Sequence, residues 1–175
     1  ERFWTREMRQ GASAVTTHST IQKRYWVERG VLRDDVEMIP VGVWTDQFSP
    51  GEPQALPEGL AFPAGSVVGL TVGRMTPYKD YPTMFRAFRN VVAQDKRFHL
   101  IVLGFGPHRE RLIARAKEWG LEGQVHFLQK RVAHKEMPGL LRSVDFYIQS
   151  SSIEPFGISV VEAMAVGKPV VVTEA

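Results

Sequence analysis

The 175-residue sequence carries 22 Lys and Arg against 19 Asp and Glu, a formal net charge of +3, with 43% hydrophobic and 23% charged residues. These are ordinary globular proportions, and the basic residues are scattered, which argues against nucleic acid as the main partner and leaves a mild positive field suited to a small anion. Cys is absent, which excludes disulfides and thiolate metal sites and fits a cytoplasmic protein; no apolar run approaches the ~18 residues of a membrane span.

The sequence starts at Glu1 and stops just past a predicted strand. An α/β unit ending there would leave its sheet uncovered, so a fragment is expected: the end of one domain (1–45), an interdomain linker (46–65) and most of a second domain (66–175). Residues 1–10 have a helical composition, with Phe3, Trp4 and Met8 on one face. Residues 12–17 read as a short strand, 21–29 as a helix ended by Gly30, and 36–42 as strand followed by turn. From Ser49 to Gly65, Pro and Gly dominate without periodicity, as in a linker. Beyond it, strands are predicted at 66–72, 98–103, 125–128, 145–150 and 169–173, with helices at 82–94, 108–119, 135–143 and 158–166. Such alternation with short connections implies an α/β fold, a doubly wound parallel Rossmann-like sheet with helices on both faces. The near-continuous apolar strands are those of a sheet covered on both sides.

The most informative stretch runs from Glu154 to Pro169. Pro155 and Gly157 suit a turn between strand and helix, Gly167 a left-handed helix end, and Pro169 forbids continuation. The backbone N–H groups of Gly157, Ile158 and Ser159 would then lack helical partners at the positive end of a helix dipole, an anion site for which phosphate is the usual occupant. Glu154 and Glu162 flank that site instead of sitting on it. Carboxylates so placed suit hydroxyl groups, and the inferred ligand is phosphorylated and hydroxyl-rich.

The whole block, E-P-F-G-x-x-x-x-E-A-M-A-x-G-x-P-V-V, resembles the donor-site signature of the retaining glycosyltransferases of family 4, the glycogen-synthase-like group of GT-B architecture. The resemblance implies that Glu154 faces the donor sugar and that Glu162 binds the ribose of the nucleotide, with Phe156 inside the same motif. It extends to Gly73-Arg74 and Lys79, which match the family's G-R-x-x-x-x-K segment and would hold the donor diphosphate. Ile39-Pro40-Val41-Gly42-Val43 resembles the segment that leads into the interdomain crossing, although Val41 and Trp44 replace the usual Asn and Asp, leaving in question any polar contact made from that turn. At the end of the third strand of the second domain, the family's base-holding loop corresponds to Arg131 and Val132; UDP, GDP and ADP all remain open as the nucleotide.

The Leu103-Gly104-Phe105-Gly106-Pro107 turn resembles the family's G-x-G-P turn. On its own chemistry it fits a phosphate seat or a tight strand-to-helix connection equally. It is not a dinucleotide fingerprint, because Arg109 occupies the third glycine position and Gln129 and Lys130 stand where an acid is required. His18, His99, His108, His126 and His134 lack paired metal spacing, so no metal site is expected. The family's catalytic histidine would lie upstream, and none of these five inherits its role. The four Trp read as packing residues.

The reaction implied is transfer of a hexose from a nucleoside diphosphate sugar to a carbohydrate or lipid-linked acceptor hydroxyl, with retention of configuration and no required metal or other cofactor. Peripheral membrane association would involve the preceding domain. The competing readings are a non-catalytic nucleotide-binding module of the same fold and a glycoside hydrolase. The hydrolase fits less well, because its two acids must face each other across the scissile bond.

Overall fold

The structure, a computed structural model, describes residues 13–32 and 35–174. The helix expected at 1–10 lies outside the described residues. Two compact units divide the chain: residues 1–42 with 154–158, and residues 43–153 with 159–175.

In the first unit, β1 (Thr16–Thr17) and β2 (Glu37–Met38) pair in parallel. Between them in sequence lies helix α1 (Thr20–Glu28), whose first turn is capped by Ser19 Oγ accepting from Gln22 N. The first strand is shorter than the expected 12–17, and the second falls within the strand and turn expected at 36–42. The ladder consists of two pairs, Thr16–Glu37 and Thr17–Met38; Ser19 then opens α1 after β1, and Pro40, which has no N–H to donate, follows β2.

The second unit is a five-stranded, all-parallel sheet. Its strands are β3 (Val67–Val72), β4 (Phe98–Leu103), β5 (Val125–Phe127), β6 (Phe146–Gln149) and β7 (Val170–Val172), in the order β5-β4-β3-β6-β7. The chain builds outward from β3 to β5, then returns to lay β6 against the other side of β3. The carboxyl ends of β3 and β6 therefore flank the topological switch point, where open sheets of this kind bind ligands.

Side chains alternate across β4 to feed two cores. Leu100 and Val102 join Met75, Phe85, Phe88 and Leu112 on one face; Ile101 and Leu103 join Leu70, Tyr147, Leu140 and Ala163 on the other. Helix α2 (Tyr81–Gln94) covers the first face with Tyr81, Met84, Phe85, Phe88 and Val92, the 3–4 spacing of an amphipathic helix. Helix α3 (Arg109–Glu118) adds Leu112 and Ala116. The second face is covered by α4 (Met137–Arg142) and α5 (Ile158–Ala165).

The end of α5 follows the predicted chemistry. Gly167 has φ 82, its N–H donates to Met164 O, and Lys168 N donates to Ala163 O, the bonding of a Schellman cap. The helix expected at 135–143 instead opens with a tight 3₁₀ turn at His134–Glu136, before Pro138 sets the α-helical phase. A second 3₁₀ turn, Pro77–Lys79, interrupts the loop after β3.

Residues 46–65, expected as a linker, contain neither helix nor strand but lie packed on the second unit. Phe48 is 1% exposed, and Leu56, Leu60 and Phe62 rest on the same core.

Candidate functional site

The loop leaving β3 is held at both ends. Tyr81 Oη donates to Gly73 O at 3.1 Å, and burial raises the phenol's pKa well above its ordinary value. Asp80, left-handed at φ 39, caps α2 by accepting from Thr83 N. From the other side of the switch point, Ser150 Oγ donates within reach of Lys79 O (3.1 Å) and Asp80 O (2.9 Å), and Ser152 N donates to Tyr78 O at 2.8 Å. The carboxyl end of β6 is thus laced to the loop that carries the two predicted cations.

Arg74 is exposed on that loop, and its guanidinium has no hydrogen-bond or ion-pair partner among the described residues. Lys79 is half-buried; its aliphatic stem runs over Gly73, where a Cβ would come 3.6 Å from Lys79 Cε.

Gly104 and Gly106 lie on the next loop, pressed against the first. Gly73 N donates to Leu103 O and Met75 N to Phe105 O, both at 3.0 Å, extending the β3–β4 ladder past the strands. A Cβ on Gly104 would stand 1.9 Å from Gly73 O, and one on Gly106 2.5 Å from Met75 O. Both glycines are thus required for close backbone approach.

Arg131 and Val132 line a cavity of about 180 Å³ beyond β5, floored by Leu128 and Leu140 and bounded by Gln54 and Glu136. The Arg131 guanidinium also lies 5.4 Å from the centroid of the Phe105 ring, a cation–π distance.

On α5, Ser159 and Glu162 belong to the second unit. Ser159 Oγ is turned toward the sheet, 2.8 Å from Tyr147 Oη and 3.1 Å from Gln149 Oε1, so its hydroxyl is engaged. Glu162 is 7% exposed, and its Oε1 lies 2.9 Å from His134 Nε2. Glu154, Phe156, Gly157 and Ile158 group with the first unit. Gly157 has φ 81, the left-handed conformation that glycine adopts without penalty, immediately before α5 begins. Among the described residues, no group of three or more His, Asp or Glu is placed to hold a metal ion.

Sequence reasoning missed His134, Ser150, Tyr147 and Gln149. The partners described lie 10 to 75 residues away, except for the Tyr147–Gln149 contact, and no local pattern announces such pairs.

The family model for glycosyl transferases group 1 matches residues 54–175. The chain belongs to this family. Over 156 residues it is 35% identical to mannosylfructose-phosphate synthase of Agrobacterium fabrum, covering 82% of this chain and 34% of that protein. Over 142 residues it is 32% identical to D-inositol 3-phosphate glycosyltransferase of Mycobacterium tuberculosis, covering 78% and 28%. The chain thus spans about a third of the length of these curated relatives. Among solved structures, HepE of Anabaena in complex with UDP and glucose superposes with TM-score 0.82 at 23% identity, covering 99% of this chain and 48% of that one. Sucrose-phosphate synthase of Thermosynechococcus elongatus gives 0.77 at 24%, covering 96% and 42%. This group 1 glycosyl transferase chain therefore has the fold of GT-B enzymes, a parallel Rossmann-like domain.

Proposed function

We propose that the chain supplies the donor-nucleotide part of a retaining hexosyltransferase of family 4 type, taking a nucleoside diphosphate sugar as donor and a carbohydrate or lipid-linked hydroxyl as acceptor. The observation that carries the reading is the switch point itself. Arg74 and Lys79 ride on the loop leaving β3, and Ser150 and Ser152 bind that loop to the end of β6, the strand whose continuation bears the two glutamates.

Cleavage of the anomeric bond puts negative charge on the departing diphosphate and positive charge on the sugar. Arg74, Lys79 and the N–H of Ser159 in the first turn of α5 would stabilise the first through preorganised electrostatics. Glu154 would orient the sugar hydroxyls, and Glu162 would accept hydrogen bonds from the ribose. Arg131 and Val132 would border the base. With two cations and a helix terminus as counter-charge, the donor needs no metal ion, so a chelator should leave turnover unchanged.

The test is an assay of the full-length protein against UDP-, GDP- and ADP-sugars, with the anomeric configuration of the product read by NMR. A charged hydrogen bond is worth roughly 1.5–3 kcal/mol, so Glu162→Ala should raise the donor KM by about 10- to 100-fold. Donor kinetics unmoved by that change would remove Glu162 from the site, and an inverted product would remove the retaining assignment.

A further inference from the structure

Burial of a carboxylate demands a partner, and Glu162 has His134. An ionised carboxylate only accepts, so His134 Nε2 carries the proton and donates it across the 2.9 Å separation. The imidazole is itself braced. Its ring centroid lies 5.2 Å from that of Phe48, whose position the core fixes at 1% exposure. A contact serving only to neutralise a buried charge would enclose both members, yet the side chain of His134 is 64% exposed while that of Glu162 is 10% exposed. The pair therefore opens outward on the imidazole side. His134 also follows closely on Arg131 and Val132, which line the cavity beyond β5.

We propose that His134 is a positioning residue for nucleotide binding: it engages one oxygen of Glu162 and so aims the other at the vicinal hydroxyls of a ribose. This rests on the reading of Glu162 as the ribose-binding carboxylate. The terminal torsion of a glutamate is broad, and a braced donor on one oxygen removes that freedom before the ligand arrives. Affinity then comes from preorganisation, with no direct contact between the imidazole and the ligand.

Calorimetry on the full-length protein tests this with UDP, GDP and ADP, the 2′,3′-dideoxy analogue of whichever binds best, and inorganic pyrophosphate. His134→Ala should weaken the nucleoside diphosphate by about 3- to 10-fold, as for one hydrogen bond partly replaced by water. It should leave pyrophosphate and the dideoxy analogue unmoved and add nothing in a Glu162→Ala background. His134→Gln, whose amide N–H can donate to the same oxygen, should recover most of the loss. Equal weakening of all three ligands, or of none, would overturn the role of His134. A Glu162→Ala protein that still prefers ribose over dideoxyribose to the unaltered degree would instead overturn the assignment of Glu162 itself. Failure of all three nucleotides to bind the unaltered protein would remove the donor site, and this inference with it.

Discussion

Gly104 shows how a single hydrogen in place of a methyl sets the spacing of two loops. The obstacle to a side chain there is the Gly73 carbonyl, a backbone atom that cannot swing aside. Gly104→Ala should therefore force the β3 and β4 loops apart and cost about 1–3 kcal/mol, the usual range for overpacking, read as a lower urea midpoint. Gly123 has no atom within 4 Å of its would-be Cβ and no positive φ, so Gly123→Ala should stay within about 0.5 kcal/mol of the unaltered protein. Asp80 offers a second residue-scale test, because it combines a left-handed backbone with a capping side chain. Asp80→Ala loses the cap and keeps the strain, so a loss of about 1–3 kcal/mol is expected; Asp80→Gly relieves the strain and should cost less than half of that. Equal losses in the two variants would show that neither feature governs this corner.

Among the elements, the stretch from 43 to 65 behaves least like its composition. Arg142 Nε donates to Ser49 O and Arg142 Nη2 to Gln47 O, while Ser143 Oγ accepts from Gln54 N. Arg142→Ala should release this strap, lower stability by about 1.5–3 kcal/mol, and open residues 47–57 to limited proteolysis; an unchanged digestion pattern would show that the packing of Phe48 and Leu56 and the Ser143–Gln54 bond hold the segment without Arg142. The contrast with the sheet explains what the sequence made legible. The strands of the second unit are apolar on both faces, and the amphipathic α2 repeats its apolar residues at helical spacing, so their order could be read directly. Residues 46–65 bury Phe48, Leu56, Leu60 and Phe62 without any period, and Pro and Gly between them mask the signal. The same limit applies at the candidate site. Arg74, Lys79 and the Glu154–Glu162 frame are local patterns, whereas His134 meets Glu162 across 28 residues. The two glycines of the 104–106 turn were ambiguous because a phosphate seat and a close backbone crossing demand the same residue.

Across the whole molecule, the response to acid is set in part by two histidines on adjacent strands. His99 Nδ1 and His126 Nε2 are 3.2 Å apart, and Phe62 packs on both rings at 4.9 and 5.0 Å. Only one proton can lie between the two nitrogens, so the arrangement needs at least one neutral ring. Burial lowers both pKa values from the ordinary 6.5, and the charge of His99 lowers that of His126 further. The unfolded chain therefore binds more protons than the fold in the window just below 6.5. The stabilising contribution is complete above that value and is lost as pH falls toward and through the lowered folded values. Urea unfolding between about pH 7.5 and 5.5 should show stability declining with acid, by at most about 1.4 kcal/mol per pH unit for each proton taken up. His126→Gln keeps a hydrogen-bonding group beside His99 but removes one titrating ring, so its decline should be roughly half as steep. Identical slopes in the two proteins, or a wild-type midpoint flat across the window, would show that the paired imidazoles do not control the acid limb, and that another group takes up the protons on unfolding.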